Sequence, residues 1–111
     1  MKRWLLTLIA SFFAAPVFAE PAYVGKWARS PALCQPEGDR VPMEIHEQKI
    51  LFYESACDLK SISHHADSWA ATLECSGEGE TWTDDVRMTV SGDSLVFARG
   101  KNEGERYVRC H

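Results

Sequence analysis

Several familiar chemistries have no foothold in this chain. It holds no Gly-x-Ser-x-Gly elbow, no His-Glu-x-x-His pair and no glycine-rich phosphate cradle, so serine-hydrolase, zinc-protease and P-loop activities are not expected. It has no Cys-x-x-Cys, the usual knuckle of a structural zinc site. From residue 20 onward it has no sustained helical period, repeat, linker or low-complexity stretch. Basic charge is scarce there too. Leaving out Lys2 and Arg3 reduces 12 basic side chains to 10 against 16 acidic ones, a net charge of −6. That balance disfavours nucleic acid and anionic lipid, and suits a basic protein or a cation if it serves binding at all. Otherwise it serves solubility.

The one long apolar run is at the start. Met1-Lys2-Arg3 precedes the uncharged stretch Trp4 to Ala15, and Val17-Phe18-Ala19 supplies a small residue before Glu20. This pattern predicts a signal peptide over 1–19, too short for a spanning anchor, and a periplasmic or secreted domain over 20–111 with no membrane insertion after cleavage. No cysteine lies near the cleavage point, so no lipid anchor is expected.

A domain of 92 residues buries only roughly 60–65 % of its unfolded surface. The four cysteines, Cys34, Cys57, Cys75 and Cys110, are the expected reinforcement, as two disulfides formed in an oxidising compartment.

Period-two alternation with turn residues every eight to twelve positions predicts an all-β domain. The clearest strands are Ser68 to Ser76 (Trp69, Ala71, Leu73 and Cys75 on one face) and Glu80 to Val90 (Trp82, Val86, Met88 and Val90). Asp84 interrupts the second apolar face, which places it at a barrel mouth or a bulge. Six weaker strands follow from Tyr23 to Arg29, Val41 to His46, Lys49 to Tyr53, Cys57 to Ser63, Ser94 to Arg99 and Glu105 to Cys110. The connections are short, with Gly92-Asp93 the best hairpin signal. In the longer Ser30 to Arg40 segment, Ser30-Pro31 suits one short helical turn. About eight sequential strands predict a small up-and-down antiparallel barrel.

A turn at His65-Ala66-Asp67 would oppose Cys57 to Cys75, Leu59 to Leu73 and Ser61 to Ala71. Cysteines opposed at a non-hydrogen-bonded position can bond across the hairpin. Cys34 is then left for Cys110, although strand alternation places these two at opposite rims unless the Ser30 to Arg40 loop folds back. Cys34–Cys57 with Cys75–Cys110 stays open as the alternative.

Gly25-x-Trp27 on the first strand, with Arg106 and Arg109 on the last, resembles the calycin pattern of lipocalins and small secreted bacterial protease inhibitors. The resemblance implies that Gly25, Trp27 and Arg109 are structural, with the guanidinium over the indole near the barrel closure. The wider layout, GKWARSPALC, YESACDL, W…C-x-GEGETW and Tyr-x-Arg-Cys, resembles short exported bacterial proteins of unassigned function, and implies the same fold and cysteine framework.

Two constellations can carry binding. Glu78, Glu80, Asp84 and Asp85 surround Trp82 and can form an acidic lip for a basic protein, with Trp82 as anchor. The plainer alternative is a solvated hairpin with Trp82 in the core. His64, His65 and Asp67 at a hairpin tip can meet a Zn²⁺ or Cu²⁺ ion, but only if a twisted turn brings adjacent side chains to one face. The carboxylate spacing fits no EF-hand, and a glycosidase pair needs a deeper cleft than a small barrel offers. No catalytic residue and no cofactor is expected. The sequence reads as a non-enzymatic binding module, with a metal or small-ligand binder of the cell envelope as the alternative.

Overall fold

The computed structural model describes residues 19–111; the expected signal peptide lies outside the described residues except for Ala19. Eight antiparallel strands close into a barrel in simple sequential order. They are β1 (Gly25–Ala28), β2 (Met43–Ile45), β3 (Lys49–Phe52), β4 (Ser55–His65), β5 (Ser68–Gly77), β6 (Glu80–Ser91), β7 (Ser94–Arg99) and β8 (Glu105–Arg109). One 3₁₀ turn, Pro31–Cys34, follows β1. Ser30 precedes it in extended conformation without a side-chain cap, so Pro31 at the first position is what favours the turn.

Alternation fills the interior. Trp27, Met43, Ile45, Ile50, Cys57, Leu59, Trp69, Ala71, Leu73, Cys75, Val86, Met88, Val90, Leu95 and Phe97 form one buried cluster with Tyr23. Among the described residues no polar or charged side chain of another kind is buried. The barrel body is therefore a packed core rather than a cup.

Both expected disulfides are present. Cys57 and Cys75 oppose each other in the β4–β5 register with Cα atoms 4.0 Å apart. The Leu59 N–H donates to the Gln48 carbonyl across β3, so Cys57 points its backbone toward β3, and its pair with Cys75 is of the close, non-hydrogen-bonded kind. Cys34 bonds Cys110, with Cα atoms 5.5 Å apart. The rim difficulty is resolved by the 3₁₀ turn, which folds back onto β1. There the Cys110 N–H donates to the Lys26 carbonyl. The bridges exclude the Cys34–Cys57 alternative.

Three details differ from the sequence expectation. Ser61 does not face Ala71, because the β4–β5 register shifts between Lys60 and Ser63 at a bulge where Ser61 holds φ 52°. The shift pairs His65 with Ser68 and shortens the turn to Ala66-Asp67. β6 pairs with β5 without irregularity through Asp84, so Asp84 marks a mouth and not a bulge.

Candidate functional site

Counting strand directions divides the turns between two ends. The lower end carries the β2–β3, β4–β5 and β6–β7 turns, and the upper end carries β3–β4, β5–β6 and β7–β8.

The lower end is closed by aromatic packing. Tyr23 meets Trp69 edge-on at 5.3 Å, and His64 stacks on Trp69 at 4.2 Å. The Tyr23 hydroxyl donates to the Glu47 carbonyl at 2.7 Å, and the Trp27 indole donates to the Tyr23 carbonyl at 2.9 Å. Burial, then the nearby Glu47 charge, pushes the Tyr23 phenol up. Arg109 completes the closure. Its guanidinium lies 4.3 Å over the Trp27 ring and donates to the Val24 and Ala22 carbonyls at 2.9 and 3.0 Å. Gly25 holds φ 153°, and a Cβ there would lie 2.7 Å from the Arg109 guanidinium, so a glycine is needed for this approach.

The histidine tip belongs to this lower end. His64 pairs with inward-facing Trp69 and His65 with Ser68, so the two imidazoles leave opposite faces of β4. His64 Nε2 lies 2.6 Å from the Ala66 carbonyl. The structure does not bring His64, His65 and Asp67 to one point, and among the described residues no group of three metal-ligating side chains converges.

The upper end is open and polar. Phe52, Phe97 and Tyr107 touch edge-to-face at 6.3 and 6.2 Å, flooring the mouth. Arg99 stands 5.2 Å over Phe52 and pairs with Asp84 at 3.4 Å. Arg29 stands 5.4 Å over Tyr107 and pairs with Glu105. Burial, then the charge of Glu105, raises the Tyr107 phenol. Two shallow clefts of ≈ 260 and ≈ 580 Å³ share Phe52 and Tyr107.

Around this mouth the acidic lip takes a different shape from its spacing. Asp84 faces inward and is engaged by Arg99, with about a third of its side chain exposed (32 %). Asp85 lies on the outer face, beside Arg87 in a shallow depression. Glu78 and Glu80 are exposed at the β5–β6 tip. Trp82 has the inward parity of Cys75, its register partner. It is nonetheless 36 % exposed, because the β5–β6 hairpin rises past the sealed core; the core alternative for Trp82 does not hold.

The structure also adds Val41 (39 % exposed) and Tyr53 (51 %), which the sequence did not single out. With Trp82 they are three of the four exposed large hydrophobic residues among the described residues, and all three lie toward the upper end. Glu54 on the β3–β4 tip meets Glu78 on the β5–β6 tip. The hydrogen bond between their carboxyl groups, with some burial and the Glu78 charge, raises the Glu54 carboxyl above its ordinary value. The tips pack tightly: a Cβ at Gly77 would lie 2.6 Å from the Glu54 carbonyl. The available sequence signal was strand alternation, which puts positions 54 and 78 at one rim. Among the described residues none of the ion pairs uses Glu54, Glu78, Glu80 or Asp85.

These observations define a small, disulfide-bonded, eight-stranded antiparallel barrel with a filled body, one sealed end and one open polar end. Comparison of the chain with family models, with curated proteins and with solved structures gave no match.

Proposed function

We propose that this barrel is a non-enzymatic binding module of the periplasm or the secreted fraction, whose upper rim grips a basic protein such as a cationic hydrolase and inhibits it. The observation that carries this reading is the coincidence, at one end, of exposed Tyr53 and Trp82 with the carboxyl groups of Glu54, Glu78 and Glu80, none of which is engaged by a cation among the described residues. Aromatic side chains anchor interfaces, and a one-sign rim speeds encounter. The packed interior supports docking on the rim rather than a ligand held within. Two disulfides suit an oxidising compartment. The calycin kinship is part of the same proposal, supported by the sequential strand order and by Arg109 over Trp27.

The test is association with a panel of basic secreted lysozymes and proteases at low and physiological salt. Glu78→Lys with Glu80→Lys should slow association several-fold, and the contrast should shrink as the Debye length falls toward ~8 Å. Asp84 is left intact because its loss would strand Arg99. Absence of any binding, or indifference to both salt and charge reversal, would sink the reading. A second reading, a small ligand in the mouth, is favoured by one observation: the inward-facing Arg29 and Arg99 over an aromatic floor.

A further inference from the structure

The barrel is closed, yet its wall is not equally tall. β7 meets β6 only from Val86 opposite Arg99 downward, with one further bond from the Gly100 N–H to the Asp85 carbonyl at 2.8 Å. Above that level, Glu80 to Asp84 pair with β5 alone. Backbone direction follows from the ladder. Asp85 offers its carbonyl toward β7, so with period two Thr83 and Thr81 point both their N–H and C=O groups the same way, into solvent. Trp82 and Asp84 point theirs toward β5. Asp85 differs from its two neighbours in that its own N–H is taken by the Asp84 carboxylate at 3.0 Å. Two residues thus present four consecutive unpaired backbone groups on a strand whose pairing with β5 is unbroken, a template for another strand.

We infer that a partner docks here by strand addition: an extended segment of a basic protein pairs with Thr81 and Thr83 along the free upper edge of β6. This rests on the acidic-rim reading and specifies how that rim is used. Charge complementarity selects the occupant. Glu78 and Glu80 flank the edge at the tip, Asp85 at its foot, and on the outer face Glu74 stands opposite Thr83. Glu74 in turn faces Asp58 across β5 and β4; Asp58 has Lys49 opposite it on β3, so Glu74 is the carboxylate of the two that lies nearer the free edge. The inner face offers Trp82, at 36 % exposure, against which every second side chain of an added strand can pack. A segment alternating basic and apolar residues therefore fits both faces. The other overhang, β4 beyond β3, is kinked by the bulge at Ser61 and bears Lys60, two devices that discourage pairing.

The test uses a capped octapeptide of alternating lysine and valine, with a serine–valine counterpart. On binding the first peptide, the Thr81 and Thr83 amides should exchange more slowly by about tenfold or more, while those of Trp82 and Asp84, bonded to β5, serve as the internal reference. Thr83→Pro removes an N–H that faces solvent, a place where an edge strand accepts proline. It should weaken the peptide about tenfold, the scale of one backbone hydrogen bond. If Thr83→Pro disturbs the fold, the exchange experiment on the unaltered protein decides. Binding without protection at Thr81 and Thr83, no binding of the lysine–valine peptide, or equal binding of the neutral one overturns the inference. Loss of association on Glu78→Lys and Glu80→Lys with none on Thr83→Pro would remove the edge and leave the acidic rim standing.

Discussion

At the rim, Glu54 and Glu78 hold positive φ values of 60° and 51° and bring their carboxyl groups together across two hairpin tips. Both tips need a residue in the left-handed region, which glutamate adopts only at some cost. The Glu54 carboxyl is raised chiefly by its hydrogen bond to Glu78, and its ordinary value is 4.5. A raised carboxyl means the folded chain keeps a proton to higher pH than the unfolded chain does. Its stabilising contribution is fully present below the ordinary value and is lost as pH rises through the folded one. Above the folded value that contribution is gone, and the Glu78 charge opposes that of Glu54. Glu54→Gln should therefore raise Tm more at alkaline than at acid pH, because only the native side chain gives up a proton as pH rises. A Tm difference that does not change between those two conditions would refute the pairing.

Among the elements, the long central strands were legible and the short ones less so. Ser68 to Ser76 and Glu80 to Val90 announce themselves by alternation, and their observed bounds, Ser68–Gly77 and Glu80–Ser91, are close. β4 is longer than its apolar signal because beyond Leu59 its residues are exposed, so hydrophobic pattern cannot mark them; pairing with β5 does. The bulge at Ser61 was illegible for the same reason, since a register shift among Ser61, Ile62 and Ser63 leaves no apolar position misplaced. Glu78 and Glu80 were legible as candidates from charge. Glu54, Tyr53, Arg29 and Arg99 were not, since their company is made by barrel closure. Like β2–β3, the β1–β8 seam that closes the barrel is one of its two shortest ladders, with Trp27 opposite Arg109 and Ala28 opposite Val108. Arg109 reinforces it with two carbonyl bonds and a stack on Trp27. Arg109→Lys keeps the charge but loses the planar fork that serves all three contacts. It should cost about 1–3 kcal/mol in urea unfolding, and amide exchange should accelerate first at Cys110, whose N–H donates to the Lys26 carbonyl. An Arg109→Lys chain as stable as the parent would show that the seam does not depend on this side chain.

For the whole molecule, the two disulfides divide the work of holding a small core together. The Cys57–Cys75 bridge spans 18 residues inside a hairpin that is already paired on both sides of its one bulge. The Cys34–Cys110 bridge spans 76 residues and clasps the 3₁₀ turn to the end of β8 beside the thin seam. In the loop-entropy description these are worth about 3 and about 4.5 kcal/mol, both acting through the unfolded chain. A domain of this size has a total stability of only about 5–15 kcal/mol, so either loss is severe and the longer one is the more severe. Two further consequences separate the bridges. Removing the longer link frees most of the unfolded chain to expand, so the urea m-value should rise clearly for the Cys34→Ala, Cys110→Ala chain and only slightly for Cys57→Ala, Cys75→Ala. The paired cysteines Cys57 and Cys75 are also buried core residues, so their replacement adds a packing loss that the half-buried Cys34 and Cys110 do not share. Equilibrium unfolding of both double variants should therefore show the long bridge dominating the change in m and the short one losing more stability than its loop length alone accounts for. Equal m-values in the two variants would mean that the long bridge does little to confine the unfolded chain, and that its role lies in pinning the seam.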